Sequence, residues 1–380
     1  MSIQKDLESL IDEQKFDFRT EKQAYSFGEL SNMYKDKELI IRPEYQRFFR
    51  WDDEKKSKFI ESIIVGIPYP NAFVNLREDG VYELIDGLQR VSTVLSFMGV
   101  LHIKLTETKA VNQDSFFEDD SQSEININKN WKLQGCTIIK ELNGLTYSEL
   151  RQSLQLKIKR ASMWFEVLTA KNIDLKYKLF DRLNTGGAPA TAQEVRNAIY
   201  RGEKSSPAFF KVLEKCSKDA KFLGILNFDE DRLNKLYNQE LVLSFFALYE
   251  NKEKLQGNIK DILDTYISNC VKSDRDFTDL ESLFKNVIKL IADNSLNFKY
   301  YRNYNGKNRE MAFSSSYFDA IMVGLAVNLD YYTSQPKLVH TIVDNLKKDE
   351  VFKKSATGQL ASSEDRIKKR IEQAIKFFKQ

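Results

Sequence analysis

Asp86, Gln89 and Arg90 fall within five residues that read as a strand end turning directly into a helix, a combination suited to holding an anion. In Val81-Tyr-Glu-Leu-Ile-Asp-Gly-Leu-Gln-Arg90, Tyr82, Leu84 and Ile85 suit a mostly apolar strand. Val91, Val94, Leu95 and Met98 then recur at helical spacing. Helix N-termini present unpaired N–H groups and a positive dipole end, which suits phosphate. Arg90, a cation in that first turn, opposes the dipole unless an anion or carboxylate lies beside it. A plainer account fits the same residues: Asp86 as N-cap with Gln89 as its reciprocal partner, Gly87 serving the turn, and Arg90 rescued by an i,i+4 ion pair to Asp86.

Two further segments carry the same kind of chemistry. Residues 40–51, Ile-Ile-Arg-Pro-Glu-Tyr-Gln-Arg-Phe-Phe-Arg-Trp, begin apolar and meet Pro43, which biases Arg42 toward extended geometry. In the loop that follows, Tyr45, Gln46, Arg47, Arg50 and Trp51 offer donors, planar guanidinium forks and stacking faces, while Phe48 and Phe49 suit core packing. Between Asp174 and Arg201, Leu175, Leu179 and Leu183 trace a helix face that ends in Asn184-Thr-Gly-Gly187. Gly186 and Gly187 can adopt positive φ and bring backbone amides close to a ligand; taken alone they make an efficient helix stop. Thr191 and Glu194 form a capping box for the next helix, where Arg196 and Asn197 can face a shared pocket.

Pro43-Glu44-Tyr45-Gln46-Arg47 with Trp51, Asp86-Gly-Leu-Gln-Arg90, and Phe180-Asp-Arg-Leu-Asn-Thr-Gly-Gly187 leading to Glu194-Val-Arg-Asn197 resemble, in order, the motif blocks of the DUF-262 family. This is the ParB-like domain that opens GmrSD-type modification-dependent restriction enzymes and related phage-defence proteins. The family's usual Asp-Gly-Gln-Gln-Arg has Leu88 in its middle position here, one amide fewer. The resemblance implies an α+β, ParB- and sulfiredoxin-like N-terminal domain with a small mixed sheet, binding Mg²⁺ and a nucleoside triphosphate. It assigns Asp86, Gln89 and Arg90 to turnover, with Asp86 also holding the metal. It assigns Tyr45, Gln46, Arg47, Gly87, Asn184, Gly186, Gly187 and Arg196 to the nucleotide. Family members often couple turnover to an HNH-type nuclease module, which needs histidines close in sequence. His102 and His340 stand in unrelated contexts, so no such module is expected here.

Composition sets outer limits. With 380 residues, 42% hydrophobic content, 26 Phe and 17 Tyr, the chain has material for two cores, expected as a nucleotide-binding domain over 1–203 and an all-helical domain over 204–380. A formal net charge of +3 against 30% charged residues excludes a broadly basic nucleic-acid coat, so DNA contact must come from local patches. Candidates are Lys55-Lys56-Lys58, Lys157-Lys159-Arg160 and Lys368-Lys369-Arg370. Cys136, Cys216 and Cys270 lack disulfide or zinc spacing, the polar N-terminus is unlike a signal sequence, and no apolar run is long enough to span a membrane. These features predict a soluble, cytoplasmic protein.

Along the chain, helices are expected over 4–15, from Ser26, after Asp52 or Asp53, from Leu88 and near Thr146. Strands are expected over 71–77, 81–85, 136–140 and 163–168, with a polar insertion over 106–130 and a basic, aromatic loop over 300–309. The functional expectation is a nucleoside triphosphatase of a DNA-targeting restriction or phage-defence system, paired with a nuclease or methyltransferase partner and able to form a homodimer. A binding-only nucleotide or DNA sensor and a metal-dependent nuclease using Glu44, Asp86 and Glu194 stay open beside it.

Overall fold

The computed structural model describes residues 18–41, 51–77, 79–101, 131–170, 191–201, 207–304, 307–358 and 360–379, together with Asp174, Tyr177, Lys178 and Arg182. The chain divides into two compact units, 1–189 and 190–380. The sequence-based boundary at 203 differs by one helix, Ala192–Tyr200, which packs on helices of the second unit.

Five strands organise the first unit: β1 (Phe18–Ser26), β2 (Leu39–Ile40), β3 (Ala72–Leu76), β4 (Tyr82–Asp86) and β5 (Ser162–Ala170). Their order is β1-β5-β3-β4-β2, with antiparallel β1–β5 and β3–β4 pairs and parallel β5–β3 and β4–β2 pairs. The fold is therefore α+β with a small mixed sheet, as expected. Side chains alternate across each strand, so Ala72, Val74, Leu84, Met163, Phe165 and Val167 share one face. That face is buried against α1 (Phe27–Lys35), α2 (Asp53–Val65), α3 (Leu88–Phe97) and α4 (Gln152–Arg160) through Phe27, Leu30, Ile60, Ile63, Val91, Leu95 and Ile158. Each large apolar side chain so buried contributes about 1.5–3 kcal/mol.

Local chemistry sets the helix limits. Ser26 caps α1 by accepting from Glu29 N at 3.1 Å, and Asp52 caps α2 by accepting from Lys55 N at 2.7 Å. Gly66, at φ 92°, ends α2 in the left-handed region that a side chain would resist. The hairpin expected around Asp79-Gly80 is present as β3–β4, with a register shift that pairs Val74 with Leu84 but Phe73 with Asp86. Ile85 is thus an extra residue in β4, a bulge beside the strand end.

Two expectations for this unit need correction. Residues 136–139 are not a strand: the buried Glu61 carboxylate accepts from the backbone N–H groups of Thr137, Ile138 and Ile139 at 3.2, 2.8 and 2.7 Å, before a 3-10 turn over Lys140–Leu142. Thr146 and Glu149 do bond, at 2.8 and 2.9 Å, but close a turn, and α4 begins only at Gln152. β1 is unanticipated, because Arg19 to Gln23 is a polar run on an edge strand. The helix expected over 4–15 and the insertion over 106–130 lie outside the described residues.

The second unit contains α5 (Ala192–Tyr200), α6 (Pro207–Ser217), α7 (Ala220–Leu226), α8 (Glu230–Asn234), α9 (Tyr237–Glu250), α10 (Ile259–Val271) and α11 (Thr278–Asp293), then α12 (Ser315–Val327), α13 (Leu329–Ser334), α14 (Pro336–Lys348), α15 (Glu350–Ala356) and α16 (Glu364–Phe378). α9 and α12 are buried almost all round and form its centre. One element departs from the all-helical expectation: the segment expected as a loop is an antiparallel hairpin of β6 (Lys299–Tyr304) and β7 (Lys307–Phe313). Cys136, Cys216 and Cys270 are buried free thiols, and desolvation pushes them up to about 11, 12 and 12. No described helix is long and apolar enough to cross a membrane.

Candidate functional site

The end of β4 runs into α3 through a single residue. Gly87 is the N-cap, at φ 92° and ψ 8°, and no side chain caps the helix. Asp86 is therefore not the cap, and the reciprocal Asp86–Gln89 box read from the sequence does not form. A methyl group on Gly87 would stand 2.6 Å from Ala72 Cβ and 3.1 Å from Ala72 Cα, so glycine is required by both backbone angle and close approach to β3. The first turn of α3 is left with its dipole uncapped by any side chain.

Arg90 lies across this turn. Its Nη2 donates to Asn71 O at 3.0 Å and meets Asp86 Oδ2 at 3.3 Å, the ion pair that the spacing predicts. Its Nε–H is buried with no acceptor among the described residues, a state that costs about 1–3 kcal/mol unless a ligand or water supplies one. The Arg90 side chain is 16% exposed and that of Asp86 39%, so the carboxylate faces outward beside a largely sheltered cation. Asn71 extends the network by donating to Glu166 Oε1 at 2.9 Å, and Glu166 pairs with Lys22 at 3.0 Å.

Strand register explains why these groups meet. Because of the bulge, Asp86 lies opposite Phe73, which in turn lies opposite Glu166, opposite Lys22; all four share the sheet face away from the helical core. The next row on that face holds Glu83, Asn75, Leu168 and Thr20. Asn75 is buried, and neither of its amide atoms has a hydrogen-bond partner among the described residues. Trp51, the last residue of the 40–51 segment, donates its backbone N–H to Gln89 Oε1 at 3.1 Å and packs its ring edge-on against Phe59. The second motif block thus reaches the first through Trp51.

Residues 27–201 match the family model described as GmrSD restriction endonuclease, N-terminal domain. Over those residues the chain is similar to this domain. No curated protein and no solved structure gives a significant match. The GmrSD-type match spans all three motif blocks.

Within the GmrSD-type match, the structure brings together Asp86, Gly87, Gln89 and Arg90. Tyr45, Gln46, Arg47, Asn184, Gly186 and Gly187 lie outside the described residues, as does Glu44. Arg196 has a different setting, in the second unit. Its guanidinium is 1% exposed and bonded to Asp264 Oδ1 at 2.7 Å, Glu240 Oε2 at 3.0 Å and Gln193 Oε1 at 3.3 Å. Asn197 is equally enclosed, against Gln193 and Gln239. Glu194 closes the predicted capping box with Thr191 and is buried, so its carboxylate is occupied by backbone.

Among the described residues, no three His, Cys, Asp or Glu side chains converge as a metal site. Asp86, part-exposed beside Arg90, is the carboxylate that would hold a divalent cation here, and Mg²⁺ accepts one or two protein carboxylates. Sequence reading missed Asn71, Asn75 and Glu166. The signal for Asn75 was an amide inside the apolar strand Ala-Phe-Val-Asn-Leu; Asn71 and Glu166 join the site only through strand pairing.

Proposed function

We propose that the GmrSD-type domain binds and hydrolyses a nucleoside triphosphate as part of a DNA-targeting restriction or phage-defence system. The observation that carries this reading is the uncapped first turn of α3 with Arg90 lying across it, one buried N–H of the guanidinium unsatisfied and Asp86 opening outward beside it. Phosphoryl transfer demands charge stabilisation above all. Arg90 would neutralise phosphate charge, Asp86 would orient the attacking water, and Gln89, tied to Trp51, would fix the approach of the 40–51 segment. Tyr45, Gln46 and Arg47, with Asn184, Gly186 and Gly187, would complete the nucleotide contacts. A bound Mg²⁺ would supply charge screening at Asp86. The helical unit would relay nucleotide state to DNA and to a nuclease or methyltransferase partner.

Phosphate release from the purified chain, with each triphosphate and with or without DNA, tests this. Release that is lost in Asp86→Ala is the expected result; release no greater than in that variant removes hydrolysis. One observation favours a second reading, a sensor that binds without turnover: Leu88, where the family has an amide, packs against the apolar core. Nucleotide-dependent thermal stabilisation without phosphate release would establish that reading. For a nuclease built on Glu44, Asp86 and Glu194, the occupied Glu194 carboxylate leaves little support.

A further inference from the structure

The three basic clusters of the sequence differ in one respect that only coordinates reveal. On α2, Lys55, Lys56 and Lys58 face Asp52, Asp53 and Glu54 at 4.0, 2.8 and 2.5 Å. On α16, Lys368, Lys369 and Arg370 face Glu364, Asp365 and Asp319 at 2.6, 2.8 and 3.3 Å. Arg151-Gln-Ser-Leu-Gln-Leu-Lys-Ile-Lys-Arg160 contains four cations and no acid, and none of the four pairs with a carboxylate among the described residues. Cations in the last turn of a helix suit its dipole, which would explain one or two of them. Yet Lys348 and Lys353, in the last turns of α14 and α15, are paired with Asp344 and Glu350 at 3.6 and 2.9 Å, so position alone does not leave a lysine without a carboxylate.

Helical geometry collects this charge on one side. Ile158 is buried, whereas Ser153, Leu156, Lys157 and Arg160, spaced i, i+3, i+4 and i+7, are exposed on a common face. Those four line a shallow surface cleft with Ile63 of α2 and Ala161. The lining offers two cations and a hydroxyl for phosphate oxygens, and no aromatic ring on which an unpaired base could stack.

We infer that this face of α4 docks on the phosphate backbone of double-stranded DNA. It would position the protein along the duplex without reading sequence. The inference rests on the charge pairing and does not depend on nucleotide turnover at Asp86 and Arg90.

Fluorescence anisotropy of the full chain with a labelled duplex, titrated over salt, tests it. Lys157→Ala with Arg160→Ala is expected to weaken binding at least about tenfold and to lower the slope of log K against log salt by about 2. Lys368→Ala with Lys369→Ala, the same change in net charge on paired residues, is expected to alter affinity less than about twofold. Lys157→Arg should bind as the parent does. Matching thermal unfolding confirms that each variant is folded, and DNA-free phosphate release, expected to be unchanged, separates this surface from the nucleotide site. Equal losses in the two double variants, no duplex binding by the parent at low salt, or tighter binding to single-stranded DNA or polyglutamate than to duplex would each overturn the proposal.

Discussion

Arg90 and Arg196 present the same guanidinium early in a helix, and each follows a motif block suited to phosphate, yet the fold treats them oppositely. Arg196 is sealed among Asp264, Glu240 and Gln193. Among the described residues, Arg90 has one carboxylate at 3.3 Å, one carbonyl, and a donor left over. Counting acceptors around the cation, rather than noting the arginine, separates a structural tie from a group ready for an anion. A guanidinium whose donors are matched by two carboxylates gains little from a phosphate, whereas one held by a carbonyl and a half-exposed carboxylate can still do so.

The contrast can be broken first at its sealed end. Arg196→Ala removes the buried cation from beside Asp264 and Glu240, and about 3–5 kcal/mol of stability should be lost, read by urea unfolding of the purified chain. A loss below 1 kcal/mol would show that water reaches the pair. At the open end the effect should fall on chemistry instead: Arg90→Ala is expected to reduce phosphate release about 10²–10³-fold while the unfolding midpoint moves little, because Asp86 stays partly solvated. If both variants lose stability equally and neither changes release relative to folded protein, the distinction fails.

Gly87→Ala sharpens the picture at the turn between strand and helix. The positive φ alone costs about 1–2 kcal/mol, and contact with Ala72 adds to it; tighter nucleotide binding in this variant would contradict an anion site at the uncapped turn. Leu88→Gln should have a smaller effect, raising phosphate release a few-fold if the missing amide limits turnover, at a cost of about 1 kcal/mol for lost packing. Smallest of all is a chemical probe of the sealed unit. Burial pushes Cys216 and Cys270 up to about 12, so at pH 8 almost no thiolate is present in the folded chain, and a thiol reagent should label these residues only as fast as the unit opens. Immediate labelling in the native protein would mean that the second unit is not closed.

Much of this was legible in the residues themselves. The change from strand to helical periodicity at Gly87, the Asp86–Arg90 spacing, the Asp79-Gly80 turn and the Thr191–Glu194 box each depend on neighbours within a few positions. The rest depends on partners far along the chain. Nothing near Arg196 announces Asp264, 68 residues on, or Glu240, 44 residues on. Gly87 displaces Asp86 as the cap because β3 passes so close, a fact of tertiary packing. The strand at 18–26 carries charge where an edge meets water, and its sequence lacks the alternation that would mark it.

Glu61 has a consequence for how this domain can vary. By gathering three successive amides onto one carboxylate, it ties residues 137–139 to α2 ahead of α4 and β5. The three bonds are made by backbone N–H groups, so the side chains at 137, 138 and 139 can change without loosening the clasp. Glu61→Gln, similar in shape but without the charge, would loosen the clasp whichever residues stand there.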